Sequence, residues 1–128
     1  MSGKTILIVE DNEIQREGLA IVLRKAGYDV LPSEEAGDAI ATLDRIVAPD
    51  LIILDMMMPT PATDGWRFME ERKKYPALFA VPVLIMTAMD AASKEWAESL
   101  GARGLVRKPA DTDTLLAEVR RCLGGHAE

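Results

Sequence analysis

The chain has 128 residues, 48% of them apolar, with 15 Lys and Arg against 21 Asp and Glu and a formal net charge of −6. That length fits one domain with room for a core, and the apolar share excludes a disordered chain. The acidic balance argues against direct binding to nucleic acid, which needs Lys and Arg in excess, and no apolar run approaches the ~18 residues of a membrane span.

Residues 1–65 carry 5 basic and 12 acidic side chains and residues 66–128 carry 10 and 9, so the acidity sits in the first half. Met1-Ser2-Gly3-Lys4 leads straight into an apolar run without the layout of a signal peptide, and a cytoplasmic protein is expected. The single cysteine, Cys122, excludes an internal disulfide and fits packing on the last helix.

Strand and helix signals alternate five times. Ile6–Val9 is all apolar, as a strand buried on both faces should be. Asn12 is a good helix N-cap with Gln15 three residues on, the spacing of a capping box, and that helix should end at Ala26-Gly27. Tyr28–Leu31 reads as a weaker strand closed by Pro32. Ala36, Ala39, Ile40, Leu43, Ile46 and Val47 repeat at helical spacing before Pro49. Leu51–Leu54 is the next strand, and residues 56–65 form a loop.

A third helix is expected from about Trp66 to Tyr75, broken by Pro76. Val81–Met86 is the fourth strand, followed by a helix over roughly Ala91–Leu100 that stops at Gly101. Arg103–Arg107 contains a short fifth strand. Asp111, Thr112 and Asp113 open the last helix, with Leu115, Leu116, Val119 and Leu123 facing inward and Gly124-Gly125 ending it. Such alternation predicts an α/β fold, with one parallel sheet and helices on both faces.

The strand ends carry the chemistry. After the first, third, fourth and fifth strands come Glu10-Asp11, Asp55, Thr87 and Lys108. Parallel strands place those ends side by side, at the edge where open α/β sheets bind ligands. Three carboxylates, a hydroxyl and an ammonium suit a divalent cation and a phosphoryl group. Asp55 is the candidate nucleophile, because a carboxylate attacking phosphorus forms an acyl phosphate. Mg²⁺ would relieve the repulsion among the carboxylates, since it takes one or two of them together with waters and a phosphate oxygen. Thr87 and Lys108 could each serve one phosphoryl oxygen. Each residue also has a plain structural reading, as a cap, a turn former or a surface charge. His126, the sole histidine, lies in the tail and is read as incidental.

On these residues the chain resembles the receiver domain of two-component response regulators. The matching stretches are ILIVEDN at 6–12, DLIILDMMMP at 50–59, DG at 64–65, VPVLIMTA at 81–88 and GARGLVRKPA at 101–110. The resemblance covers about Thr5 to Leu123 and takes 1–128 as a single receiver domain. It implies a flavodoxin-like five-stranded parallel sheet, order 2-1-3-4-5, with five helices on both faces. It implies that Asp55 accepts a phosphoryl group from a histidine kinase or phosphotransfer protein. Mg²⁺ would be held by the carboxylates of Asp11 and Asp55 and the backbone carbonyl of Met57, with Glu10 acting through water. Thr87 and Lys108 would contact the phosphoryl group, and the Lys108–Pro109 peptide would be cis. The protein would not turn over an external substrate. Its output would be a changed binding surface for a downstream protein, with a phosphorylation-dependent dimer as one form.

Three features depart from the family pattern. Leu105 stands three residues before Lys108, where the family usually has Tyr or Phe, which puts the usual aromatic coupling in doubt. Two residues look inserted between Pro59 and Asp64-Gly65. Met57 and Met89, two residues after Asp55 and Thr87, offer no general base, so slow autodephosphorylation is expected; gap-filling by methionine is the plainer account. Competing readings are a Mg²⁺-dependent phosphohydrolase, a nucleotide or flavin binder, and a degenerate receiver that binds partners without phosphorylation. Against the first, no acidic residue follows Asp55 closely. Against the second, the chain lacks G-x-G-x-x-G and G-x-x-x-x-G-K-[ST]. Arg120 and Arg121, with Arg103 and Arg107, would form a solvated face or meet an acidic partner.

Overall fold

A computed structural model describes residues 3–33, 48–55 and 64–124. Strands β1 (Thr5–Val9), β2 (Asp29–Ser33), β3 (Leu51–Asp55), β4 (Val83–Thr87) and β5 (Gly104–Arg107) form one sheet in the order β2-β1-β3-β4-β5. Every pairing is parallel. The helices are α1 (Glu13–Lys25), α2 (Asp64–Glu71), α3 (Pro76–Phe79), α4 (Lys94–Ser99) and α5 (Thr112–Cys122), with a 3-10 turn over Arg72–Lys74 between α2 and α3. This is the flavodoxin-like order that the resemblance implies. The strand order reverses at β1, which opens a crevice beyond the carboxyl ends of β1 and β3.

Two apolar layers follow from the period of two along each strand. Leu7, Val9, Ile52, Leu54, Val83 and Ile85 turn to one face and pack with Phe68, Met69, Leu78 and Ala97 from α2, α3 and α4. Ile6, Ile8, Leu51, Ile53, Leu84, Met86 and Val106 turn to the other and pack with Ala20 and Leu23 of α1 and Leu115, Val119 and Cys122 of α5. Each fully buried Leu or Ile stabilises the fold by roughly 1.5–3 kcal/mol. This double burial explains why the central strands have no polar alternation.

The ends of the elements obey local chemistry. The Asn12 side chain accepts from the Gln15 N–H at the start of α1, and Gly27, at φ 101°, follows its C-cap Ala26. Ser93 caps α4 through the Trp96 N–H, and Asp111 caps α5 through the Thr114 N–H. Two expected boundaries move. Pro32 lies inside β2, opposite Ile8, because β2 is an edge strand and tolerates a residue without an N–H. Pro76 ends nothing by itself: α2 stops at Glu71, and Pro76 then opens α3. Its fixed φ suits a first helical position, and the residue before it, Tyr75, is extended at φ −122°, ψ 100°. The expected helix over 36–47 and the loop with the two added residues lie outside the described residues.

Candidate functional site

The site is built by the turns that leave the sheet. Glu10 follows β1, and its backbone N–H donates to the Ser33 carbonyl at 3.0 Å. Its carboxylate accepts from the Asn12 N–H at 2.9 Å, and its carbonyl accepts from Arg16 Nη1 at 2.9 Å. The β1–α1 turn is thereby locked with Glu10 buried at 4% exposure. Asp55 is the last residue of β3, its side chain 5% exposed. Thr87 ends β4 fully buried, its hydroxyl oxygen accepting from the Met89 N–H at 3.2 Å.

Lys108 joins these parts. Its N–H donates to the Thr87 carbonyl at 2.8 Å, which fixes the chain after β5 against the end of β4. Its ammonium forms an ion pair with Asp55 Oδ2 and lies 3.7 Å from Glu10 Oε1. The same ammonium donates to the Gln15 side-chain carbonyl on α1 at 2.6 Å. The Lys108–Pro109 peptide is cis.

Glu10, Asp55, Thr87 and Lys108 therefore meet at one sheet edge. Asp11 sits exposed on the adjoining β1–α1 turn. Met57 lies outside the described residues. Gln15 and Arg16 were not singled out as site residues by their sequence positions; Gln15 reads there as a capping partner. The capping box forms by half. Asn12 accepts from Gln15, but the Asn12 N–H is taken by Glu10, which leaves the Gln15 amide for Lys108. Leu105 is half-buried and packs, like Trp96 and Leu100, against the core cluster that contains Phe68.

The electrostatics favour a cation. Burial first, and then the neighbouring Asp55 side chain and its negative charge, push the Glu10 carboxyl above its ordinary range; the Asn12 N–H and Lys108 oppose that shift. Two carboxylates this close in a low-dielectric crevice remain under-neutralised by one ammonium. Among the described residues, no three His, Cys, Asp or Glu side chains gather into a ready-made cage. Mg²⁺ takes one or two carboxylates and keeps several waters. The donor set is hard oxygen throughout, so the residues present fit that ion.

The sequence matches the family described as response regulator receiver domain over residues 6–120. The chain is a response regulator receiver domain. The receiver is 36% identical over 121 residues to protein PilH of Pseudomonas aeruginosa, covering 94% of this chain and 98% of PilH. It is 35% identical to the phosphate regulon regulator PhoB of the same species over 96% of its own length but only 53% of PhoB. Among solved structures, a response regulator from Chloroflexus aurantiacus superimposes with a TM-score of 0.83 at 29% identity, covering 96% of this receiver and 99% of that chain. The receiver domain of a sensor histidine kinase from P. aeruginosa PAO1 superimposes with a TM-score of 0.81 at 26% identity, covering 96% and 99%; that structure holds magnesium in its active-site cleft. The receiver is thus a two-component signalling module that acts through phosphorylation-driven change. No helix among its described residues is long and apolar enough to cross a membrane.

Proposed function

We propose that residues 1–128 form a single receiver whose Asp55 accepts a phosphoryl group from a phosphohistidine on a histidine kinase or phosphotransfer protein. The observation that carries this reading is the Lys108 ammonium held between Asp55 and Glu10 at the end of the sheet. One Asp55 oxygen attacks phosphorus, a P–O bond forms, the P–N bond breaks, and the electron pair leaves with the imidazole nitrogen. Lys108 and the Thr87 hydroxyl would take phosphoryl oxygens, so charge that spreads over those oxygens would meet two donors. Mg²⁺ bound by Asp11, Asp55 and the Met57 carbonyl would supply charge neutralisation for the incoming group, with Glu10 behind it.

Exposed Ile14, 83% accessible on the first turn of α1, stands beside this edge and offers apolar area to the donor protein. The receiver would catalyse only its own phosphorylation and dephosphorylation, in the cytoplasm where ATP-made phosphohistidine is available. Its output would be binding to a downstream protein or to a second copy. Half-buried Met89 gives no general base beside the phosphoryl group, in keeping with a long-lived phosphorylated state.

Intact-mass analysis after incubation with Mg²⁺ and acetyl phosphate tests the reading. Wild type should gain one phosphoryl group, and Asp55→Asn or omission of metal should abolish the gain. A folded wild-type protein that gains nothing from either acetyl phosphate or a phosphorylated phosphotransfer domain would instead support an interaction module that works without phosphate.

A further inference from the structure

We infer that a cleft at the amino ends of β4 and β5 binds a small organic carboxylate, with Arg72 and Arg103 as its cations. The cleft measures about 380 Å³, within the ~300–1,000 Å³ of small-molecule sites. It lies at the edge of the sheet opposite Asp55. Its Pro82 immediately precedes β4 and its Arg103 immediately precedes β5, whereas Asp55, Thr87 and Lys108 stand at or just beyond the carboxyl ends. The phosphoryl chemistry proposed for Asp55 uses none of the residues that line it.

The buried guanidinium carries the argument. A guanidinium has five N–H donors and no acceptor. Arg72, 3% exposed, gives one N–H of Nη1 to the Phe79 carbonyl at 3.0 Å and one of Nη2 to the Gly101 carbonyl at 3.1 Å. Its other three N–H groups have no acceptor among the described residues. No carboxylate among those residues comes within ion-pair distance of it either. Buried donors are normally satisfied, and a buried charge is costly without a partner. Nε is sealed beneath the surface, so the second N–H of each Nη is what remains for an occupant.

The other lining residues define that occupant. Arg103 is exposed, has Nη1 on the Cys122 carbonyl and enters no ion pair among the described residues. Lys73 also lines the cleft, but its ammonium is paired with Glu70 at 3.4 Å. Glu98 is the one carboxylate on the cleft and is itself without an ion pair among the described residues. Two unpaired guanidiniums against one unpaired carboxylate leave a surplus of one positive charge, which a monocarboxylate matches. The guanidinium fork suits the two oxygens of a carboxylate. An apolar wall of Phe79, with its ring 52% exposed, Pro82 and Ala102 favours an organic acid over an inorganic anion.

The test follows backbone amide and arginine side-chain N–H resonances of the whole chain by NMR, at neutral pH and constant ionic strength. Sodium benzoate, benzamide and inorganic phosphate are titrated in turn. Benzoate should give saturable shifts at the Arg72 Nε–H and at the Gly101 and Ala102 amides, and benzamide, which has the same shape without the charge, should not. Arg103→Gln should weaken benzoate binding by roughly two- to fivefold, and Glu98→Gln should tighten it by a similar factor, the scale of exposed charge pairs. Both positions are exposed, so the fold survives either change. Shifts centred elsewhere, equal binding of benzamide, or an affinity indifferent to both variants would overturn the proposal. Phosphate saturating these resonances while benzoate leaves them unmoved would overturn the carboxylate assignment.

Discussion

Arg72 shows how one side chain can hold several elements. It sits in the 3-10 turn, 3% exposed, with no acidic partner in its described surroundings. Its Nη1 donates to the Phe79 carbonyl at 3.0 Å and its Nη2 to the Gly101 carbonyl at 3.1 Å. The Phe79 carbonyl ends α3 and the Gly101 carbonyl lies just beyond the C-cap of α4, where the helix dipole is negative and backbone oxygens lack intrahelical donors. The Phe79 ring lies 5.0 Å from the guanidinium carbon and adds a cation–π contact. Two helix ends and one ring thus stand where a counter-ion would, while Nε has no hydrogen-bond partner among the described residues. Arg72→Ala should cost about 2–4 kcal/mol, because it strands buried carbonyls and opens a cavity. Lysine should recover only part of this, since it lacks the fork that reaches two carbonyls. Urea denaturation midpoints would measure both; an Ala variant as stable as wild type would remove Arg72 from this role.

At the scale of elements, α5 is locked to the edge strand β5 by charge as well as by apolar packing. Glu118 accepts from Arg121 Nε at 2.9 Å and Nη2 at 2.8 Å, and from the Leu105 N–H at 3.3 Å. Arg121 reaches the Arg103 carbonyl at 2.7 Å, and Arg103 donates to the Cys122 carbonyl at 3.1 Å. Arg107 donates to the Asp90 carbonyl at 3.0 Å. Three of the four arginines that the sequence leaves as a solvated face or a partner contact are therefore engaged within the molecule. The approach is close enough to require Gly104: a Cβ there would come within 2.7 Å of Cys122 Sγ. Hydrogen bonds from Arg121 are the main cause that holds the Glu118 carboxyl below its ordinary range, with smaller help from the Leu105 N–H. A carboxyl with a depressed folded pKa contributes stability that is complete above its unfolded value, about 4.3, and is lost as pH falls through the lower folded value. Wild type should accordingly lose stability below about pH 4.3 more steeply than Glu118→Gln. Chemical denaturation between pH 6 and pH 3 compares the two slopes, and equal slopes would exclude Glu118 as a contributor.

The molecule as a whole links its fold to its site through the crevice at the sheet's carboxyl edge. Strand ends fixed by two packed apolar layers cannot retreat from one another, so like charges at those ends stay close. A bound cation should then stabilise the whole fold by mass action. Mg²⁺ at ten times its dissociation constant should raise the unfolding free energy by about 1.4 kcal/mol, and Asp55→Asn should reduce that gain. Thermal melts across a Mg²⁺ titration would show it, with Ca²⁺-free buffer and EDTA as the reference. A melting temperature indifferent to Mg²⁺ in wild type would count against cation binding at this edge.

Much of this was legible in the chain itself. Uninterrupted apolar runs such as Ile6–Val9 and Leu51–Leu54 mark strands buried on both faces, and helical periods between them require parallel crossovers. Turn chemistry at Asn12, Gly27, Gly101 and Asp111 set most helix ends, because caps act locally. Polar residues just after the strands named Glu10, Asp55, Thr87 and Lys108 as neighbours, since parallel strands align those ends. Pro32 and Pro76 were harder to place, because a proline's effect depends on whether its strand is at an edge and on whether a new helix starts at it. Sequence spacing also could not show that Glu10 takes the Asn12 N–H, that Gln15 thereby reaches Lys108, or that Arg72 is balanced by two helix ends. Those are choices among hydrogen-bond partners far apart in the chain, and only the packed tertiary structure decides which acceptor a buried donor finds.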